Sequence, residues 1–390
     1  MTQQDRAPGA VHRPTGPLPP NETRRPVLRR ALGWGLVVSV FVLCLVVLAA
    51  TIGSSTGLMG ALLGVLAAAT AIGIVVPVFL WVDRLEAEPA RLMWFAFLWG
   101  ALVSTVGALL LNGLGIAVFA GLQVDPELVG AVVVAPLVEE GLKGLGVLLI
   151  FVLARREFNG VVDGIAYAGV TAAGFAFVEN ILYLGVSYQE LGGEGLLAVF
   201  IVRCLMSPFA HPMFTVCFGL ALGLVTHRRT PGRTVLLPLL GFAAAVFLHA
   251  LWNLAAVTAG SGFFLVYAVV QVPLFAGFVA ILLWARRRET WMLREYLTGY
   301  GLNGWFTPAE VAMLASPRER RRARQWARDR GGPRAERAME AFQDEAGDLA
   351  VARRHIDRGD PDPAWREREA RLLVSVEQHR RAFVPAAAAP

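Results

Sequence analysis

Residues 131–156 read AVVVAPLVEEGLKGLGVLLIFVLARR, an apolar run that ends at a pair of arginines. The run exceeds the roughly 20 residues that a helix needs to cross a lipid bilayer. It nevertheless contains Glu139, Glu140 and Lys143, and Lys143 is the only lysine of the chain. Charged side chains inside a membrane cost roughly 2.5–3.5 kcal/mol each, so they are functional candidates by default. This stretch therefore predicts a membrane-spanning helix that carries part of a functional site.

The rest of the chain repeats the apolar pattern. The composition is 56% hydrophobic, with a mean hydropathy of +0.55. We predict an all-α fold, a polytopic membrane helix bundle of about eight transmembrane helices in a lipid bilayer, with a soluble helical C-terminal tail. The predicted spans are 33–53, 59–82, 92–120, 127–154, 161–186, 195–226, 234–258 and 262–285.

Charge divides the chain into three predicted parts. Residues 1–32 are rich in Arg and Pro and are expected to form a disordered cytoplasmic lead-in. Residues 33–285 form the membrane domain, and residues 286–390, with 37 of the 66 charged residues, form the tail. In the tail, Thr307-Pro308-Ala309-Glu310 predicts a capped helix start. The tail's partner is not predicted.

The net charge of +6 does not indicate nucleic-acid binding, because the arginines lie at the ends of apolar runs and along the tail. The connections between spans alternate between arginine-bearing segments and segments without Lys or Arg. Cytoplasmic loops carry the excess of Lys and Arg, so we predict that both termini are cytoplasmic. The basic positions are Arg24, Arg25, Arg29, Arg30, Arg84, Arg91, Arg155, Arg156, Arg228, Arg229, Arg233, Arg286, Arg287 and Arg288.

Three later spans also carry polar residues away from their ends. Glu179 lies in the fifth span, His211 in the sixth, and His249 and Asn253 in the seventh. Glu179, His211 and His249 offer a three-ligand set for Zn²⁺ that leaves a fourth position for water. Arg203, Ser207, His211 and Thr215 share one face of the sixth span, since residues four apart are neighbours on a helix.

Metal-assisted hydrolysis fits these residues. Glu139 or Glu140 would be the general base, and Lys143 would pair with the other carboxylate. Asn253 could donate to a developing oxyanion. The same buried carboxylates and histidines also suit a proton- or cation-coupled transporter, and the physical argument alone leaves the two functions nearly even. A receptor with purely structural charges is a third, weaker alternative.

The order of the motifs separates these alternatives. EExxK at 139–143, FxxxE at 175–179, His211, and HxxxN at 249–253 follow one another on four successive spans. Over about residues 60–285 the chain resembles the PrsW family of intramembrane proteases, which is related to the CAAX-protease and bacteriocin-processing superfamily.

The resemblance implies an intramembrane metalloprotease of a bacterial inner or plasma membrane. Its substrate would be a membrane-associated protein, for example an anti-sigma factor. It implies catalytic roles for Glu139 and Glu140 and a polar site of Glu179, His211 and His249, while Asn253 follows the wider superfamily. Two glutamates and a histidine could also activate water without zinc.

Overall fold

The structure is a computed structural model of the 390-residue chain, and it describes residues 27–119, 125–226, 230–258, 260–360 and 362–383. Most of the predicted lead-in and the arginines at 228 and 229 lie outside the described residues. Within the described part the chain is helical, without a β-strand, which confirms the predicted fold class.

The membrane helices run in chain order from α1 to α10. Short π-helical turns interrupt or join several of them, at Trp99–Ser104, Gly130–Val134, Phe200–Met206 and Tyr267–Gln271. The helices are α1 Val27–Val82, α2 Ala90–Leu98, α3 Thr105–Phe119, α4 Pro126–Val129, α5 Ala135–Leu153, α6 Val161–Val199, α7 Ala210–Val225, α8 Pro231–Thr258, α9 Phe263–Val266 and α10 Val272–Leu302.

Five helical stretches of the described residues are long and apolar enough to cross a membrane, and glycines divide two of them. The stretches are Gly33–Val82, Ala90–Phe119, Val161–Val225, Pro231–Thr258 and Phe263–Leu302. Gly57 (φ 61°) divides the first, and Gly192 (φ 65°) divides the third. Positive φ is readily adopted by glycine and breaks helical geometry. Dividing these stretches at the two glycines and adding α5, which has three charges, gives eight apolar segments, and the prediction that each crosses the membrane stays a prediction.

Helix α6 is the core of the membrane unit, which comprises residues 24–83 and 88–283. It packs against α1 on one side and α7 on another. Small residues allow this close approach, as is typical of helix contacts in membranes. A Cβ on Gly164 would lie 2.0 Å from the carbonyl oxygen of Gly219, so the α6 and α7 backbones touch there. The close contact fixes the position of α7, which carries His211.

The second unit contains residues 84–87 and the tail from 284 onward. Its later helices are α11 Pro308–Leu314, α12 Pro317–Asp357 and α13 Ala364–Phe383. Phe342, Leu349 and Tyr300 lie in its apolar core. The predicted cap at Thr307 is present: its hydroxyl accepts from the Glu310 amide at 3.2 Å, and Glu310 accepts from the Thr307 amide at 2.8 Å. The tail is therefore a packed helical unit.

Candidate active site

Helix α5 presents three charged side chains to the interior of the membrane unit. Glu139, Glu140 and Lys143 are 6%, 1% and 0% exposed. The Lys143 Nζ atom lies 2.6 Å from Glu140 Oε1 and 4.0 Å from Glu139 Oε2. The spacings of three and four residues place all three groups on one helix face. A single ammonium group thus faces two carboxylates.

Glu140 is held from two other helices. The Thr215 hydroxyl on α7 donates to Glu140 Oε2 at 2.7 Å, and His249 Nδ1 on α8 lies 3.0 Å from Oε1. Both carboxylate oxygens are therefore engaged. A carboxylate on one ring nitrogen of a histidine fixes the orientation of the ring and leaves the other nitrogen available as a ligand.

Glu139 is less completely paired. Its Oε1 atom accepts from Asn112 Nδ2 on α3 at 3.3 Å, whereas Oε2 is buried without a hydrogen-bond partner among the described residues. His249 Nε2 lies 3.8 Å from this Oε2 atom, too far for a direct hydrogen bond. An acceptor and a ring nitrogen thus face each other across a short gap.

This gap fits a metal ion. One ligand atom from each of Glu139, His211 and His249 lies within 4.8 Å of the other two, and all three residues are buried. Zinc–oxygen and zinc–nitrogen bonds of about 2.0–2.2 Å put neighbouring ligand atoms roughly 3–4 Å apart. The free Oε2 atom and the donor types therefore fit such an ion.

His211 joins this cluster to a second group of polar residues. Its Nδ1 atom lies 3.3 Å from Lys143 Nζ, and its Nε2 atom lies 2.8 Å from Glu179 Oε2. Glu179 also accepts from the Arg203 guanidinium, whose Nε atom donates to Asn180 Oδ1 at 2.8 Å. Glu179 is thus held between a histidine and an arginine.

Aromatic rings surround the histidines. The His249 ring stacks on Phe214 with a centroid separation of 5.1 Å, and the Phe175 ring meets His211 edge-on at 5.4 Å. Lys143 Nζ lies 4.4 Å from the Phe175 centroid, close enough for a cation–π contact. These rings supply apolar packing against the histidines and the ammonium group.

Asn253 lies one turn beyond His249 on α8. Its Nδ2 atom donates to the backbone carbonyl of Ala131 at 2.8 Å, within the π-helical turn Gly130–Val134 that leads into α5. In this arrangement Asn253 braces the backbone that precedes the two glutamates. Its predicted role as an oxyanion donor stays a prediction.

The structure therefore brings five of the seven predicted residues into one cluster: Glu139, Glu140, Lys143, His211 and His249. Glu179 adjoins the cluster through His211. Sequence reasoning gave no site role to Asn112, Thr215 or Arg203. The i+4 series on the sixth span contained a signal for Thr215 and Arg203, whereas Asn112 is an ordinary polar residue in an apolar helix.

Comparison with known proteins gives a consistent family. The chain is 37% identical to Protease PrsW of Clostridioides difficile over 139 residues, which cover 35% of this chain and 55% of the relative. It is 33% identical to Protease PrsW of Geobacillus kaustophilus over 141 residues, covering 36% and 57%. Identity to Protease PrsW of Oceanobacillus iheyensis is 28% over 196 residues, covering 49% and 82%.

The match thus spans a little over half of the length of the first two relatives. No solved structure matches the chain significantly. The model of the PrsW family of intramembrane metalloproteases matches residues 88–278, a segment that contains all seven predicted site residues. Residues 88–278, just under half of this chain, are therefore similar to the PrsW family of intramembrane metalloproteases.

Proposed function

We propose that this chain is an intramembrane endopeptidase that hydrolyses a peptide bond of a membrane-associated protein. The observation that carries the proposal is the buried cluster of two carboxylates, two imidazoles and one ammonium group within apolar helices. Such a cluster is costly inside a membrane, so a chemical role accounts for it better than a structural one. The names of the relatives support proteolysis.

We propose that Glu139 faces the reacting atoms, because its Oε2 atom is the carboxylate oxygen of the cluster that has no hydrogen-bond partner among the described residues. Glu139, His211 and His249 would hold a zinc ion, and such an ion supplies an activated water and polarises a carbonyl group. Without zinc, the same Oε2 atom would take the proton of the attacking water. Both versions of the chemistry depend on Glu139.

The neighbouring residues orient and neutralise this acceptor. Glu140 holds the His249 ring through Nδ1, and Lys143 balances the charge of Glu140. Glu179, fixed by Arg203, contacts His211 and orients its ring. The direct ligand role that the sequence predicts for Glu179 remains an alternative.

The substrate and the location complete the proposal. An anti-sigma factor of a bacterial inner or plasma membrane is the proposed type of substrate, on the basis of the family resemblance. The alternating arginines support cytoplasmic termini.

New N-termini in membrane proteins test the proposed activity without a known substrate. Cells that express the wild type should contain cleaved membrane proteins, mapped by mass spectrometry of N-terminal peptides, and Glu139→Gln should abolish these products. Glu127→Gln, the same change at an exposed glutamate in α4, is the matched control and should leave them intact. An unchanged product set in Glu139→Gln would remove the proposed role of Glu139.

Metal content of the purified protein separates the two versions of the chemistry. We expect about one zinc per chain in the wild type and its loss in Glu139→Gln, His211→Ala and His249→Ala. If Glu179→Gln retains its zinc, the ligand set Glu139, His211 and His249 is supported. If Glu179→Gln loses its zinc, the ligand set Glu179, His211 and His249 is favoured. Products formed by a metal-free wild type would establish the version without zinc. Proton-coupled flux in proteoliposomes, with no proteolysis, would instead establish a transporter.

A further inference from the structure

A cavity of about 630 Å³ lies beside the cluster, within the membrane unit. Glu139 and Glu179 both line it, and Ala108, Leu109 and Phe175 contribute to its apolar wall. A concave site of this size, mostly apolar with a few convergent polar groups, is typical of a ligand pocket. A ligand in the cavity would therefore lie beside Glu139 and Glu179.

Three of the five hydroxyl groups in the lining, those of Thr51, Ser55 and Thr105, are already used as donors. Thr51 donates to the carbonyl of Val47 at 2.9 Å, and Ser55 donates to that of Thr51 at 2.8 Å. Thr105 donates to the carbonyl of Gly100 at 3.1 Å. Because a hydroxyl has one proton and two lone pairs, each of these oxygens can still accept but not donate.

In the remaining polar lining, acceptor oxygens outnumber the two hydroxyl groups of Tyr183 and Ser187 that can still donate. Asn112 donates its amide to Glu139, and its Oδ1 atom is buried without a partner among the described residues. Glu139, Glu179 and Glu190 contribute carboxylates, and no Lys, Arg or His lies among the described residues that line the cavity. A ligand with hydrogen-bond donors and without negative charge matches this lining.

We infer that this cavity binds an unwound, uncharged or basic segment of the substrate peptide beside the scissile bond. The inference rests on the proposed function and adds a substrate class and a specificity. An unwound backbone at membrane depth must find partners for its amide groups, and the acceptors of the cavity supply them. Around the cavity the carboxylates of Glu139, Glu140, Glu179 and Glu190 outnumber the cations Lys143 and Arg203, so an acidic side chain would be desolvated beside an excess of negative charge and the cavity selects against it.

Asn112 is the positioning residue of this cleft. Its Nδ2 atom donates to Glu139, and its buried Oδ1 atom, which has no hydrogen-bond partner among the described residues, is the acceptor that we assign to a peptide N–H group. Asn112→Leu keeps a side chain of similar size and removes both functions. Asn112→Asp keeps the acceptor and adds a charge that should favour a basic segment over a neutral one.

The test uses fluorescent Ala/Leu peptides of about 24 residues, long enough to span the bilayer, with a central Gly-Ser-Gly that favours unwinding. Two further peptides carry one lysine or one glutamate at the centre. Binding is measured by anisotropy on the full chain in lipid nanodiscs, using Glu140→Gln to keep the peptides intact. Cleavage is followed in the wild type by mass spectrometry.

We expect the neutral and lysine peptides to bind and the glutamate peptide to bind about tenfold more weakly or worse. Val186→Phe, which fills the cavity, should weaken binding about tenfold, and Asn112→Leu roughly three- to tenfold. Val186→Ala, which enlarges the cavity, and Val152→Phe, at an exposed position of α5, should bind like the parent. Elution of each variant as a single species in size-exclusion chromatography controls for misfolding.

Equal binding of the neutral and glutamate peptides, or equal effects of Val186→Phe and Val152→Phe, overturns the inference. Failure of every peptide to bind overturns it as well. If binding follows the expected pattern but the wild type cleaves no peptide, the peptide-binding role of the cavity is supported and the proposed proteolysis is refuted. If the wild type cleaves all three peptides equally and Val186→Phe does not slow the cleavage, proteolysis is supported and the peptide-binding role of the cavity is refuted.

Discussion

Replacing Gly219 by alanine should separate two helices that hold the candidate active site. An added Cβ would lie 2.0 Å from the carbonyl oxygen of Gly164 and 2.6 Å from the Cβ of Ala168. Ordinary van der Waals contact begins at about 3.4 Å. The backbone of α7 must therefore move away from α6 by about 1.4 Å, since the obstructing atom is a main-chain oxygen and cannot rotate away.

Two opposing effects set the size of the change. Overpacking a tight interface costs typically about 1–3 kcal/mol. Alanine recovers about 0.8–1.0 kcal/mol of helix propensity relative to glycine. We expect a net loss of about 0–2 kcal/mol in the free energy of unfolding. His211 lies eight residues away on the same helix, and a shift of about 1 Å at a catalytic group can reduce a rate by about 100-fold.

Thermal unfolding in detergent, combined with the zinc content and the yield of new N-termini, measures this prediction. Gly73→Ala is the matched control, because a Cβ there meets nothing within 4 Å. It should unfold at or slightly above the wild-type temperature. A Gly219→Ala protein with wild-type unfolding temperature and full activity would refute the close contact between α6 and α7.

Three further perturbations test the cluster and the tail. Lys143→Met leaves the buried Glu140 carboxylate without its ammonium partner at 2.6 Å, so thermal unfolding should show a loss of about 3–5 kcal/mol in the free energy of unfolding. An unchanged free energy of unfolding would mean that Glu140 is protonated. Thr215→Val removes the 2.7 Å hydrogen bond to Glu140 and should cost about 1–3 kcal/mol in the same assay, and no loss would show that water replaces the hydroxyl. In the tail, burial, with Arg354 as a further cause, lowers the pKa of His355 to about 4, and its ring stacks on Trp365 at 4.0 Å. Because the folded pKa lies below the unfolded value of about 6.5, the unfolded state takes up the proton first as the pH falls. The stabilisation of the folded tail by the neutral His355 is therefore complete above pH 6.5 and decreases by up to about 3 kcal/mol towards pH 4. Hydrogen exchange in α12 and α13 should accelerate over that range in the wild type and much less in His355→Gln, and equal acceleration would refute the linkage.

The fold follows from the sequence because each apolar run needs only the bilayer to become a helix. The predicted helical membrane bundle and the family resemblance are confirmed, whereas the number of eight spans stays a prediction; the break at Gly57 falls in the predicted connection between the first two spans. Helix α5 has too many charges to be recognised as a membrane span by hydropathy alone. The length of its apolar run and the arginines at its end nevertheless predict a membrane-spanning helix there. Local pattern is sufficient at this level, since main-chain hydrogen bonds in lipid must close within the helix.

The partners of the polar residues could not be obtained in the same way. Which carboxylate oxygen remains open depends on Asn112 and Thr215, which approach Glu139 and Glu140 from other helices. The pairing of Glu179 with Arg203 likewise depends on how the π-helical turn Phe200–Met206 rotates the arginine. Such contacts depend on tertiary packing, and the roles of the site residues remain predictions.

The three buried charges of α5 also bear on how this protein enters the membrane. At about 2.5–3.5 kcal/mol per charge on the insertion scale, Glu139, Glu140 and Lys143 together oppose entry of an isolated α5 by up to about 10 kcal/mol. Their partners Thr215 and His249 are synthesised 70 residues or more later. Biogenesis should therefore delay the stable integration of α5 until α7 and α8 have emerged, so assembly of the cluster and insertion of the helix become one step. Glycosylation mapping of nascent chains truncated after α5 and after α8 would show this delay, and full integration of the shorter chain would exclude it.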